Sequence, residues 1–465
     1  MGAHRKGSRS HLHLLALVCA ALIPAALTVS AYWPGLMNWD PVVQYGEALS
    51  GKITDWHPPI MQWLWQRIIP WWPGPVPMLL LQVGLWWGGL LLLAARALRK
   101  GRPVLAWALL ACGLLPIGLA LTGMIYKDSL MAGALITAAG IVSNLDGRRR
   151  LLLRIVAAVL LCFAAALRFN GFAAAMPLMV MLLPQALRRT PLRLGVTAAV
   201  TSAALLALVP AINHEIGAKS SGVELSLILF DLGGITEQSG VSVFPEEFEV
   251  KDPVAVNHKC YEADKWDSYS DWVDVECAIG FTTWRDDVAP EGISPAKTWL
   301  SAIVHHPIAY AEHRLHHFAI NIRLLPLDDD AERPVPNEDA PNAWNFHITP
   351  NPRFYALDNL AVWSAHTPLG WPVVLMALAL GAAIAGRGLK DARVIMPIAL
   401  SSLLYGMSYL VVSVASELRY HLWTDLAALV VTTMVLAEWR NIPKLRLVVA
   451  YVPATLITVT AFLLR

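Results

Sequence analysis

Long apolar runs separated by short charged patches dominate this chain. They cover residues 12–32, 76–95, 104–121, 130–142, 151–166, 172–187, 192–212, 369–385, 395–414, 422–437 and 447–464. A bilayer's hydrocarbon core is about 30 Å thick and takes roughly 20 apolar residues per helical crossing. The pattern predicts an all-α polytopic membrane protein with about eleven transmembrane helices. The first run follows Arg5, Lys6 and Arg9 and is longer than the apolar part of a signal peptide, so it reads as a retained signal anchor.

Basic residues recur at every second connection between the runs. They stand in the N-terminal tail, at Arg96, Arg99, Lys100 and Arg102, at 148–150, at Arg188, Arg189 and Arg193, at Arg387, Lys390 and Arg393, and at Arg440, Lys444 and Arg446. By the positive-inside rule these connections are cytoplasmic, as is the N-terminus; the C-terminus and the connections 33–75, 126–128, 168–170, 213–358 and 417–421 then face outward. The expected organisation is a transmembrane core over 1–212 with a catalytic first outward loop at 32–75, a soluble outward lobe over 213–358 between the seventh and eighth spans, and C-terminal helices over 359–465. Within the lobe, residues 294–325 start with Ser-Pro and carry apolar side chains near helical spacing at Trp299, Ile303, Ile308, Leu315, Phe318 and Ile322. This predicts an amphipathic helix on the membrane or the helical core, interrupted at Pro307.

Composition agrees with the pattern. With 56% hydrophobic and 15% charged residues, the chain is too apolar for a single soluble domain, and a net charge of +2 points to no nucleic-acid partner. Cys19, Cys112 and Cys162 fall in apolar runs, whereas Cys260 and Cys277 lie in the lobe, where both a disulfide and two free thiols are open readings. The lobe has no Asn-x-Ser/Thr sequon, which favours a bacterial inner membrane.

Candidate chemistry gathers at the outward ends of the runs. The first outward loop holds Asp40 and then Asp55-Trp-His57-Pro58-Pro59. An acid there is able to take a proton from an incoming hydroxyl, its pKa raised by partial burial; the alternative is that Asp40 caps a short helix and the prolines turn the chain. Lys127 and Asp128 open the fourth run, Arg168 and Asn170 follow the fifth, and Glu417, Arg419 and Tyr420 precede the tenth. Charges at the hydrocarbon boundary cost a few kcal/mol unless paired or hydrated, so the three cations either converge on an anionic headgroup or snorkel to lipid. His305, His306, His313, His316 and His317 include an i, i+4 pair, but no His-Glu-x-x-His pattern supports a metal. Asp231 is a candidate for acceptor binding or a turn start. No cofactor is predicted, and a divalent metal is without support.

These residues resemble the GT-C class of membrane glycosyltransferases, which includes protein O-mannosyltransferases and the lipid A aminoarabinose transferase. The resemblance rests on an acid after the first span (Asp40), the Asp-x-His-Pro-Pro element at 55–59, Lys127-Asp128 opening a later span, and Arg419-Tyr420 heading a late one. It covers the seven N-terminal spans and, more loosely, the late Arg-Tyr turn. It departs at Pro41, where the mannosyltransferases carry a second acid. The resemblance implies Asp40 as general base, Asp55 and His57 shaping the acceptor side, and Lys127, Arg168 and Arg419 neutralising a polyprenyl-phosphate leaving group, with Asp128, Asn170, Glu417 and Tyr420 lining the substrates. The expected reaction moves a sugar, with inversion, from a polyprenyl-phosphate donor to a cell-envelope acceptor. An O-antigen polymerase or ligase leaves Asp55–Pro59 unexplained. A flippase or transporter would place ionisable residues in mid-span.

Overall fold

The computed structural model describes residues 2–145, 150–272, 277–327, 333–336 and 338–465, with side chains from Leu12 onward. Arg148 and Arg149, and the side chains of Arg5, Lys6 and Arg9, lie outside the described residues. Among those described the chain is all helical, without a β-strand. The helices are α1 Gly2–Ala31, α2 Trp39–Ser50, α3 Ile60–Ile68, α4 Val76–Arg99, α5 Pro103–Ala111, α6 Pro116–Gly123, α7 Lys127–Ser143, α8 Leu151–Ala166, α9 Gly171–Leu182 and α10 Pro191–Ile216. They continue with α11 Glu224–Ser239, α12 Pro253–Cys260, the single turn α13 Phe281–Thr283, α14 Pro295–His305, α15 Pro307–Asn321, α16 Pro352–Ala365, α17 Pro372–Ala385, α18 Ala392–Val412, α19 Leu422–Leu436 and α20 Lys444–Leu463.

Each apolar run lies in a helix or a bent helix pair, but not every one is long enough for a straight crossing. Leu12–Ala31, α4, α10, α18 and α20 have the length and composition of membrane spans, and Pro103–Leu114 with Pro116–Gly123, bent by 57°, make a sixth if counted as one. α8, α9 and α17 are apolar but shorter, and α7 and α19 have 17 and 15 residues. The shortening comes from prolines and polar residues that start or stop a helix inside an apolar stretch. Leu192, Val196 and Val200 on α10 and Leu445, Val452 and Phe462 on α20 stay exposed. Apolar faces of that extent are the surface of a membrane-embedded protein.

The chain forms two compact units. The first contains residues 1–219, 328–406 and 418–463; the second contains 220–327, 407–417 and 464–465. The expected lobe segment 213–358 is thus shared between them.

At the centre of the first unit lies α7, buried at every position except Thr137. It can approach α4 closely because the facing residues are glycines: a Cβ on Gly89 would strike the backbone of Ile136 and Thr137, and one on Gly133 would strike Leu85. Thr137 Oγ1 adds a hydrogen bond to the Leu85 carbonyl at 2.7 Å. Asp391 accepts from Arg96, Lys100 and Arg102 at 2.6–2.9 Å, which ties the α4–α5 connection to the start of α18.

In the second unit α11 is the buried element. Asp231 lies inside this helix and starts no turn; Arg314 holds it at 2.6 Å, His313 at 3.2 Å and the Trp299 indole at 2.7 Å. Gly234 leaves room for the His313 ring. Cys260 and Cys277 form a disulfide with Cα atoms 5.9 Å apart, which settles the open reading of those two residues. The predicted amphipathic helix is present as α14 and α15, meeting at His306–Pro307. On α15 the buried side carries His313, Arg314, His317 and Asn321 beside Ala309, Phe318 and Ile320, while Ile308 and Leu315 are exposed. The reason is hydrogen bonding: Asp231, the Tyr261 hydroxyl and the carbonyls of Ala263, Ser413 and Ala415 satisfy those polar groups inside.

Candidate functional site

The site forms in the first unit, where the segment after α1 runs beside the one leading into α7. Leu36 and Met124 pair as a parallel bridge, and Ile125 N–H donates to the Leu36 carbonyl at 2.9 Å. Gln82 of α4 pins the same turn by donating to the carbonyls of Thr122 and Met124 at 2.7 and 2.6 Å. With this register set, Asp40, four residues past Leu36, faces Lys127, three past Met124.

Asp40 occupies the first turn of α2 and caps no backbone group there; Asn38, the cap residue, donates instead to the Tyr126 hydroxyl at 2.8 Å. The Asp40 carboxylate turns toward side chains from three other segments. Arg419 donates to it at 2.8 Å, His57 Nε2 stands 3.7 Å away and Lys127 Nζ 3.9 Å. Lys127 in turn meets His57 Nδ1 at 2.7 Å. An ammonium only donates, so Nδ1 accepts and Nε2 carries the proton, facing Asp40.

A second layer holds the remaining cation. Arg168, from the turn between α8 and α9, donates to Asp128 at 2.5 Å. Arg168 also lies over the Tyr420 ring at 4.3 Å, and Arg419 lies 5.5 Å from that ring and 4.3 Å from Tyr126. Tyr420 is therefore the link between the two guanidiniums, which stack on aromatic faces while keeping their N–H edges for partners. Asn170 is buried two residues from Arg168. The side chains of Lys127, Arg168 and Arg419 are 7–13% exposed and that of Asp40 is 26% exposed, so the group is recessed yet open at the carboxylate.

Of the residues singled out in the sequence, Asp40, His57, Lys127, Asp128, Arg168, Arg419 and Tyr420 come together here. Asp55 is half-buried and fixes the loop through its backbone N–H, which donates to the Lys219 carbonyl at 3.0 Å. Glu417 belongs to the second unit. The histidine pair His313 and His317 is engaged in hydrogen bonds, and among the described residues no group of three or more His, Cys, Asp or Glu side chains is placed to hold a metal ion. Tyr126 and Asn38 were missed by the sequence reading. The available signal was the tyrosine beside a cation in both turns, Tyr126-Lys127 and Arg419-Tyr420.

The electrostatics correct one expectation. Burial alone pushes the Asp40 carboxyl up, but the Arg419 and Lys127 charges outweigh it and hold the group well below the usual carboxylate range. Burial, reinforced by the Lys127 charge, holds His57 down to about 3. His57 is thus neutral throughout pH 5–8, and the activity profile over that range is expected to contain no limb that disappears in His57→Asn. A limb near pH 6.5 lost in that variant would contradict this tautomer and charge. The Arg168–Asp128 pair is buried, with Asp128 1% exposed. Removing one partner of such a pair strands the other charge, so Asp128→Ala is expected to cost about 3 kcal/mol, read as a lower unfolding midpoint in detergent.

Beside α2 the loop 338–350 makes a rim. Asp339 accepts the backbone N–H groups of Met37 and Ile348, both at 2.7 Å, and Ala340 N–H donates to the Met37 carbonyl at 2.8 Å. Tyr45 of α2 packs on Trp344 and Phe346. A cavity of about 500 Å³ opens in this loop, lined by Glu338, Asp339, Asn342 and His347 together with Pro341, Ile348 and Pro350. Comparison with known protein families, with curated proteins and with solved structures finds no match for this chain.

Proposed function

We propose that the chain is an inverting glycosyltransferase of the GT-C type, which moves a sugar from a polyprenyl-phosphate donor to a cell-envelope acceptor on the outer face of a bacterial inner membrane. In this reading the eleven apolar runs all contribute to the membrane-embedded core, with the second unit and the loops at 33–75 and 338–350 outside. The observation that carries the proposal is the position of Asp40, a partly open carboxylate 2.8 Å from Arg419 and 3.9 Å from Lys127. A base and a phosphate-binding set of cations share one recess.

The chemistry follows from that juxtaposition. The acceptor oxygen attacks the anomeric carbon opposite the phosphate, and the anomeric C–O bond breaks with its electron pair leaving on the polyprenyl phosphate. Asp40 takes the acceptor proton, while Lys127, Arg168 and Arg419 offset the charge that grows on the leaving group. Until donor binds, Asp40 serves as counterion to those cations and is a poor base. A donor phosphate competes for Arg419 and Lys127, and as they turn to it Asp40 regains basicity. Proton acceptance is thereby tied to donor binding. His57, neutral and protonated on Nε2, turns that N–H toward Asp40 beside Lys127. The cavity at 338–350, which has two carboxylates and no cation, disfavours the donor phosphate and is the place we assign to the hydroxylated acceptor.

Native mass spectrometry of the gently extracted protein tests the donor assignment. A co-purified polyprenyl-phosphate sugar, lost in Arg419→Ala, is the expected result; wild-type protein that carries no such lipid and transfers no sugar from one added to it would end the proposal.

A further inference from the structure

The helix pair α14 and α15 in the second unit exposes a row of aliphatic side chains while several polar ones are buried. Leu300 and Val304, one turn apart on α14, are 57% and 66% exposed, and Ile308 and Leu315, two turns apart on α15, are 74% and 59% exposed, with Ala311 exposed between them. The side of α15 turned inward carries two histidines, an arginine and an asparagine, each bonded within the unit, beside Ala309, Phe318 and Ile320. Single exposed apolar residues are ordinary, but a row on two consecutive helices, backed by buried charge, needs an apolar surrounding. Glu312 and His316 stand exposed beside the row on α15, as the hydrated edge of an interfacial helix would.

The height of the pair relative to a bilayer follows from its fastening. Arg314 Nη1 donates to the Ser413 carbonyl at 2.6 Å, and Asn321 Nδ2 donates to the Ala415 carbonyl at 3.0 Å. Ser413 is the first residue past α18, one of the helices long and apolar enough to span, and Val411 and Val412 at its end are themselves exposed. α15 is thus bolted to the point where a span leaves the hydrocarbon, which is the level of the headgroups.

We propose that α14 and α15 lie in one leaflet at the headgroup–acyl boundary, with Leu300, Val304, Ile308, Ala311 and Leu315 inserted among the acyl chains. The occupant of this surface is bilayer lipid rather than a protein partner. The pair then anchors the second unit to the membrane at a point separate from the spans, independently of whatever reaction the first unit performs.

The test places a photoreactive benzoylphenylalanine in the full-length protein at Ile308, Leu315, Glu312 or Lys259, in nanodiscs of phosphatidylethanolamine and phosphatidylglycerol. After illumination, intact-mass measurement is expected to show phospholipid adducts at Ile308 and Leu315 roughly tenfold more abundant than at Lys259, with Glu312 between them. Equal adduct yields at Ile308 and Lys259, or no lipid adduct at Ile308 and Leu315, would overturn the proposal. So would crosslinking of those two positions into protein dimers. Because the readout is contact with lipid, its result stands whether or not sugar transfer is found.

Discussion

Asp40→Asn is expected to lower sugar transfer by about 10²–10⁴-fold, the range contributed by a positioned general base, while leaving the protein folded and able to bind donor. The substitution nearly preserves shape but removes the charge that meets Arg419 and Lys127. Donor affinity is therefore expected to be unchanged or tighter, since a lipid phosphate no longer competes with a carboxylate for those cations. The split between lost turnover and retained binding separates a base from a structural ion-pair partner. Transfer measured with a fluorescent lipid-linked sugar, alongside retention of that lipid through purification, gives both quantities. Near-wild-type turnover in Asp40→Asn would remove Asp40 from the mechanism.

Arg419 is expected to show the complementary loss, with turnover falling by about 10²–10³-fold in Arg419→Ala, as when one donor to a developing negative charge is removed, and donor binding falling with it. Arg419→Lys is expected to recover little. The guanidinium lies over Tyr126 at 4.3 Å and near Tyr420 at 5.5 Å while donating to Asp40, and a lysine ammonium cannot stack on both rings and still present a planar donor edge. Full recovery by lysine would mean that only a point charge is needed and that the aromatic bracket is incidental. The measurement is steady-state kinetics with varied donor, reading turnover and the donor KM separately.

How much of this site was legible beforehand depends on the distance over which each signal acts. Asp40, Lys127, Arg168 and Arg419 were each suspect on their own, because a charge at the end of an apolar run is costly and asks for a reason. The interruption of 294–325 at Pro307 was equally local, since proline breaks the helix wherever it falls. The apolar spacing of α15 left the membrane and the helical core both open as its surroundings, and which side turns inward is set by partners such as Asp231 and Ser413, 83 and 99 residues from Arg314. Asp40's ionisation was misjudged because burial was foreseeable, whereas the cationic neighbours that reverse its effect were not.

From the amino-acid order alone follow the helical class, the membrane as solvent for much of the chain, and the types of residue available for chemistry, because apolar run length and proline position act within a few turns. Which of those residues meet was decided only in three dimensions. Arg419 reaches Asp40 across 379 residues, Lys127 reaches His57 across 70 and Arg168 reaches Asp128 across 40. No local periodicity encodes such separations. They result from the close approach of α4 and α7 through glycines and from the register of Leu36 against Met124, and these contacts exist only once the whole first unit has packed.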